Sequence, residues 1–189
     1  ISDVSNAAVV DSSNAVFTIS QGQNNSPATF TLSNGSGAAG SNVALTLSFQ
    51  ANGANVTVAG FDLTFNPAQL SFVSATKGAL PAGVDVQANN LGGGRVRILF
   101  FGASNTTSFS NGNLATFTFQ LASNGVPNGT VVPVGVSQRD TTTPGVEVSD
   151  AAGNLSMAGS TAGSVRFGLR GDLNNNGQID VGDIQIMVN

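Results

Sequence analysis

Residues 42–49, "NVALTLSF", decide the fold class. Val43, Leu45, Leu47 and Phe49 alternate with Ala44, Thr46 and Ser48, and a period of two is the mark of a half-buried strand. The same alternation recurs on both sides. In "NVTVAGFDLTFN", residues 55–66, Val56 and Val58 form one short face and Phe61, Leu63 and Phe65 continue it after a shift at Ala59–Gly60. That shift predicts a β-bulge. "RVRILFF" (95–101), "LATFTFQL" (114–121), "TVVPVGV" (130–136) and "GSVRFGL" (163–169) repeat the pattern. Turn-forming stretches separate them: "SNGSGAAGSN", "ANGAN", "NPAQ", "ANNLGGG", "SNGN" and "SNGVPNG". Many short strands with almost no helical periodicity predict an all-β chain folded as an antiparallel β-sandwich. The alternation also assigns most of the twelve Phe residues to the core, leaving Phe101 and Phe109, beside loop-like sequence, as candidates for surface contacts.

Composition then excludes several functions. The chain has 189 residues, 40% hydrophobic and only 8% charged, with a net charge of −4. Its surface is therefore polar but largely uncharged, and six cations make no basic stripe for nucleic acid. Cysteine and histidine are absent, which removes disulfides, thiolate chemistry, Ser–His–Asp hydrolysis and ordinary zinc sites. An enzyme would have to rely on carboxylates. Glu147 is the sole Glu, and Asp62 and Asp85, in strand and loop contexts respectively, show no partner in the sequence, so catalysis is rejected. A carbohydrate-binding face is disfavoured because Trp and Tyr, the usual stacking platforms, are both missing. There is no run of apolar residues long enough for membrane insertion. The chain begins at Ile1 without Met or a signal peptide and reads as a processed or excised segment. Six Asn-x-Ser/Thr sequons, at Asn24, Asn34, Asn55, Asn105, Asn128 and Asn154, are close to chance for such a composition.

Residues 27–169 resemble a cohesin module. "GFDLTFNPAQLSFVSATKGALP" (60–81) is similar to the cohesin segment in which a strand enters an Asn/Asp-Pro turn and a second strand follows. "GRVRILFFGASNTTSFSNGNLATFTFQL" (94–121) resembles the next cohesin segment, a Gly/Asn turn leading into a core strand. The resemblance implies a nine-stranded jelly-roll sandwich and a dockerin-type protein partner, in cellulosomes or on cell surfaces. The charged contact residues of cohesins do not map clearly onto this weakly charged surface.

Three of the ten acids fall within residues 172–183, "DLNNNGQIDVGD". This is the spacing of an EF-hand-type calcium loop: Asp172, Asn174, Asn176, the Gln178 carbonyl, Asp180 and Asp183 supply oxygens, and Gly177 stands at the sharp turn. Calcium takes six to eight hard oxygens, and carboxylates crowded this closely repel unless a cation joins them. Asp at the twelfth position, followed by a helix in "VGDIQIMVN" with Ile184, Met187 and Val188 on one side, resembles a dockerin repeat. Dockerins pair two such repeats. A single one implies either a lost second repeat or a half-dockerin that docks elsewhere.

Three segments result: an amino-terminal strand extension over 1–26, the sandwich over 27–169, and the calcium loop and helix over 170–189. In the first, "AVFTIS" places Ala15, Phe17 and Ile19 on one face. It either packs on its own sandwich or completes a neighbour's sheet by donor-strand complementation. The expected function is that of a non-catalytic extracellular or cell-surface assembly protein. Its partner is a second copy, met head to tail, or a cohesin/dockerin-type protein. The alternative is a monomeric anchoring module of a larger secreted scaffold.

Overall fold

A computed structural model describes residues 25–104, 106–168 and 181. Apart from Val181, the proposed calcium loop and its helix lie outside the described residues, as does the strand expected within residues 1–24. Among the described residues twelve strands form: β1 (Asn25–Leu32), β2 (Asn34–Gly37), β3 (Asn42–Gln50), β4 (Val58–Thr64), β5 (Leu70–Lys77) and β6 (Val84–Gly92) come first. They are followed by β7 (Arg95–Gly102), β8 (Gly112–Leu121), β9 (Val131–Ser137), β10 (Val146–Ser149), β11 (Leu155–Thr161) and β12 (Gly163–Phe167). Hydrogen bonds join them in the order β2-β12-β9-β4-β10-β11-β1-β3-β8-β5, with β7 on the other side of β4 and β6 beyond β7. The path folds into two facing layers, β5-β8-β3-β1-β11-β10 and β6-β7-β4-β9-β12-β2, with β4 shared between β10 and β9.

The all-β sandwich is as the alternation predicts, with two additions. Most pairings are antiparallel, but β1 runs parallel to β11 and β2 parallel to β12. These are two long strands, each broken at one residue, Ser33 and Ala162, and crossing from one layer to the other. This splitting is one reason the strands outnumber the nine implied by the resemblance. At the crossing the two backbones nearly touch, and a Cβ built on Gly163 would lie 2.3 Å from the Ser33 carbonyl oxygen. Glycine there is a steric requirement. Its neighbour Ser33 is fixed by donating its N–H to Thr46 O at 2.9 Å and accepting the Thr46 N–H on Oγ at 2.8 Å.

Three local expectations are corrected. The bulge predicted at Ala59–Gly60 is absent: β4 pairs β7 in one unbroken register from Ala59↔Phe100 to Thr64↔Arg95. The change of phase lies earlier, where Val56 and Thr57 are both buried before the strand begins and the Thr57 N–H donates to Ser149 O. "SNGSGAAGSN" and "ANNLGGG" are not wholly turns, since β2 occupies the first and β6 runs into the second. Both are sheet edges, where polar and glycine residues with one neighbour are tolerated. Finally, Phe109 is not a surface residue. It is 3% exposed, its ring 6.0 Å from Phe49 and 6.2 Å from Phe100, and its N–H donates to Val56 O.

The core is a phenylalanine network. Phe30, Phe49, Phe61, Phe100, Phe117, Phe119 and Phe167 are fully buried, and Phe61 reaches across the layers to Phe117 at 6.3 Å. Tilted and edge-on contacts predominate, as the ring quadrupoles favour. Burial of each such side chain contributes about 1.5–3 kcal/mol.

Candidate interaction face

The two outward surfaces differ in chemistry. On β1, β3, β5 and β8 the positions that alternate with the core carry Thr29, Thr31, Thr46, Ser48, Ser74, Thr76, Thr116 and Thr118. Cross-strand rows such as Thr46–Thr116–Thr76 line up hydroxyls and bring no charge to the surface. The outer face of β6-β7-β4-β10 and β9 gathers most of the body's charge.

That face is set by register. The residues of β7 that point away from Val96, Ile98 and Phe100 are Arg95, Arg97, Leu99 and Phe101. Pairing places Gln87, Leu99, Gly60 and Glu147 in one row, and Asn89, Arg97, Asp62 and Ser137 in the next. Gly60 makes a depression in the first row: an added Cβ would sit 3.1 Å from Leu99 Cδ2 and 3.6 Å from Arg139 Cδ. Arg139 lies over it and pairs with Glu147. Phe101, 37% exposed, stands opposite Asp85 at the end of the face. Asp85 itself lies in β6, not in a loop as its sequence context suggests.

Asp62 is the organising group. Its side chain is inaccessible to solvent, and Arg97 grips it side-on with one guanidinium edge, Nε donating to Oδ1 at 2.9 Å and Nη2 to Oδ2 at 3.2 Å. Asp62 Oδ2 also accepts the Asp140 N–H at 2.9 Å, and Arg95 Nε stands 3.8 Å away. Asp140 has a φ of 60°, a left-handed conformation that Asp tolerates better than most residues, and its own carboxylate accepts from Arg97 Nη2 at 2.6 Å. The segment between β9 and β10 is thus strapped over the sheet by a carboxylate beneath it. Burial pushes the Asp62 pKa upward, but the Arg97 hydrogen bonds, the Asp140 N–H and the charges of Arg97 and Arg95 outweigh it and hold the pKa below the usual range. Arg97 is correspondingly raised.

This arrangement bears on chemistry. A carboxylate sealed under two arginines has no free oxygen for acid–base work, and Glu147 is engaged by Arg139. Asp150 is likewise occupied, accepting from Asn154 Nδ2 and from the Asn154 and Ala152 N–H groups, which lower its pKa. Sequence reading left Asp62 without a partner, although the signal was present. Asp62 lies out of phase with Phe61 and Leu63, and Arg95 and Arg97 lie out of phase with Val96 and Ile98. All three therefore had to share a face once β4 and β7 paired. The six calcium ligands proposed from sequence lie outside the described residues, and among the described residues no cluster of three acids gathers. No helix among the described residues is long and apolar enough to cross a membrane.

The model of the cohesin domain family matches residues 28–157, well over half of the chain. No curated protein matches in sequence. Among solved structures, the sixth cohesin of scaffoldin B from Acetivibrio cellulolyticus, in complex with a mutant Cel5 dockerin, is similar with a TM-score of 0.62 and 20% identity, over 74% of this chain and 98% of that one. A non-cellulosomal cohesin from the archaeon Archaeoglobus fulgidus gives 0.59 and 15%, over 78% and 94%. The solution structure of CaCohA2 from Clostridium acetobutylicum gives 0.61 and 16%, over 76% and 92%. At these identities the likeness is one of fold.

Proposed function

This chain belongs to the cohesin family, and we propose that it is a non-catalytic, extracellular or cell-surface assembly module whose partner is a protein of the cohesin/dockerin type. One observation carries the reading: a cohesin body over 28–157 and a sequence over 172–183 with the spacing of a dockerin-type calcium loop occur in the same chain. The loop takes one Ca²⁺ through Asp172, Asn174, Asn176, the Gln178 carbonyl, Asp180 and Asp183. The helix that follows offers Ile184, Met187 and Val188 to the body of the next copy, giving a head-to-tail contact that repeats. Its seat on the body is the outer face of β6, β7 and β4, where Leu99 and Phe101 supply apolar area beside the Arg97–Asp62 cluster. Mixed apolar and charged chemistry suits protein recognition better than the hydroxyl carpet opposite. Amino-terminal residues 15–19 provide a second route, as a donor strand.

The reading of a monomeric receptor module for another protein's dockerin is supported by the near-complete coverage of a cohesin solved with such a partner. Separate deletions of residues 1–22 and 171–189, followed by light scattering in calcium, distinguish these readings. The assembly reading expects loss of polymers in at least one deletion. A full-length chain that stays monomeric at high concentration in calcium leaves only the receptor reading.

A further inference from the structure

We infer that β6 is a pairing edge at which a second copy of this chain adds antiparallel, centred on Ala88. Among the described residues three strands have one sheet neighbour: β2, β5 and β6. Exposed edges are normally blunted by shortness, lysine, proline or a bulge. β2 has four residues, two of them glycine. β5 carries Lys77 and a register shift between Phe72 and Ser74. β6 is nine residues long and exposed from Gln87 to Gly92, has no lysine or proline, and is irregular only at its far end, between Asn90 and Gly92.

Which side of β6 faces away from β7 can be read from two bonds. Val84 O accepts from Lys77 Nζ, and the Val86 N–H donates to the Asp85 carboxylate at 2.9 Å, so neither faces β7. In an antiparallel pair the backbone groups of successive residues point alternately toward and away from the partner. Ala88 and Asn90 therefore also present their N–H and C=O outward. A two-fold contact centred on Ala88 opposes outward groups to outward groups: Ala88 meets Ala88, and Val86 meets Asn90. The side chains agree with the same register. Gln87 lies opposite Asn89 of the other copy, two neutral amides that hydrogen-bond to each other. The one charged residue of the strand, Asp85, lies opposite Leu91 rather than opposite another acid. With a net charge of −4 on the whole chain, long-range repulsion is small. A contact confined to one strand edge is small beside the roughly 1,200–2,000 Å² interfaces of stable complexes, so the dimer is weak and concentration-dependent.

Sedimentation of the full chain in chelator tests this apart from the calcium-dependent assembly. A monomer–dimer equilibrium is expected, with slowed amide exchange at Ala88 and Asn90 as concentration rises. The double variant Gln87→Lys/Asn89→Lys sets like charges opposite each other and should raise the dissociation constant about tenfold. Gln87→Lys/Asn89→Glu sets opposite charges in the same positions and should leave it unchanged or lower. A strict monomer in chelator overturns the inference, as does equal weakening by both double variants. A dimer lost on deleting residues 1–24 but indifferent to the like-charged variant assigns the contact to the amino-terminal segment and also overturns it.

Discussion

Replacing Arg97 by Met leaves Asp62 buried with the Asp140 N–H at 2.9 Å and a second cation, Arg95, no nearer than 3.8 Å. Breaking a buried pair by removing one partner typically costs about 3–5 kcal/mol, because the remaining charge is neither solvated nor matched. Two features of this site lower that figure. Arg97 is 23% exposed, and Arg95 partly fills its role, so a loss of roughly 2–4 kcal/mol is expected. For a domain of this size that corresponds to a fall in Tm of about 4–16 °C. The pH dependence has a definite sign. The pKa of Asp62 is depressed in the folded protein, so its contribution is complete above the ordinary Asp range and is lost as pH falls through the folded value. In Arg97→Met only the Asp140 N–H and the charge of Arg95 still counter burial, so that pKa rises relative to the parent's and the variant recovers relative to the parent on acidification below neutral. Urea denaturation at neutral pH and near pH 3, with Asp62→Asn and the double substitution completing a cycle, measures all of this. A loss below about 1 kcal/mol at neutral pH, or an equal loss at both pH values, refutes the account of Asp62 as a charge buried by its arginine.

Gly163→Ala drives a Cβ to 2.3 Å from the Ser33 carbonyl and should destabilise by at least about 1–3 kcal/mol in chemical denaturation, the usual cost of overpacking. Phe109→Ala should cost roughly 3–5 kcal/mol by the same assay, against well under 1 for a surface residue. Asp172→Ala should abolish the single calcium site seen by calorimetry on the full chain, and retained binding removes the loop assignment.

Much of this was legible in alternation. Val43, Leu45, Leu47 and Phe49 are all buried on β3, and β7, β8, β9 and β12 fall where their patterns place them. The misses have physical causes. Phe109 sits in loop-like sequence because its buried loop is held by the bond from its N–H to Val56 O and by the Phe49 ring, both far away in sequence, which no local period reports. The parallel pairings of β1 with β11 and β2 with β12 join residues more than a hundred positions apart, and nothing in either strand alone announces them. β2 and the end of β6 look like turns because edge strands need no second apolar neighbour. Asp62 was visible as a polar residue between Phe61 and Leu63, but its partners depended on which strand lies beside β4.

The central claim, that a cohesin body and a calcium-loaded tail assemble copies of this chain, is tested most directly by the mass distribution of the full chain in calcium and in chelator, with Phe101→Asp alongside. The account predicts a series of masses beyond the dimer in calcium, collapse to dimer and monomer in chelator, and loss of the series in Phe101→Asp with its stability intact. The same distribution in calcium and in chelator contradicts it.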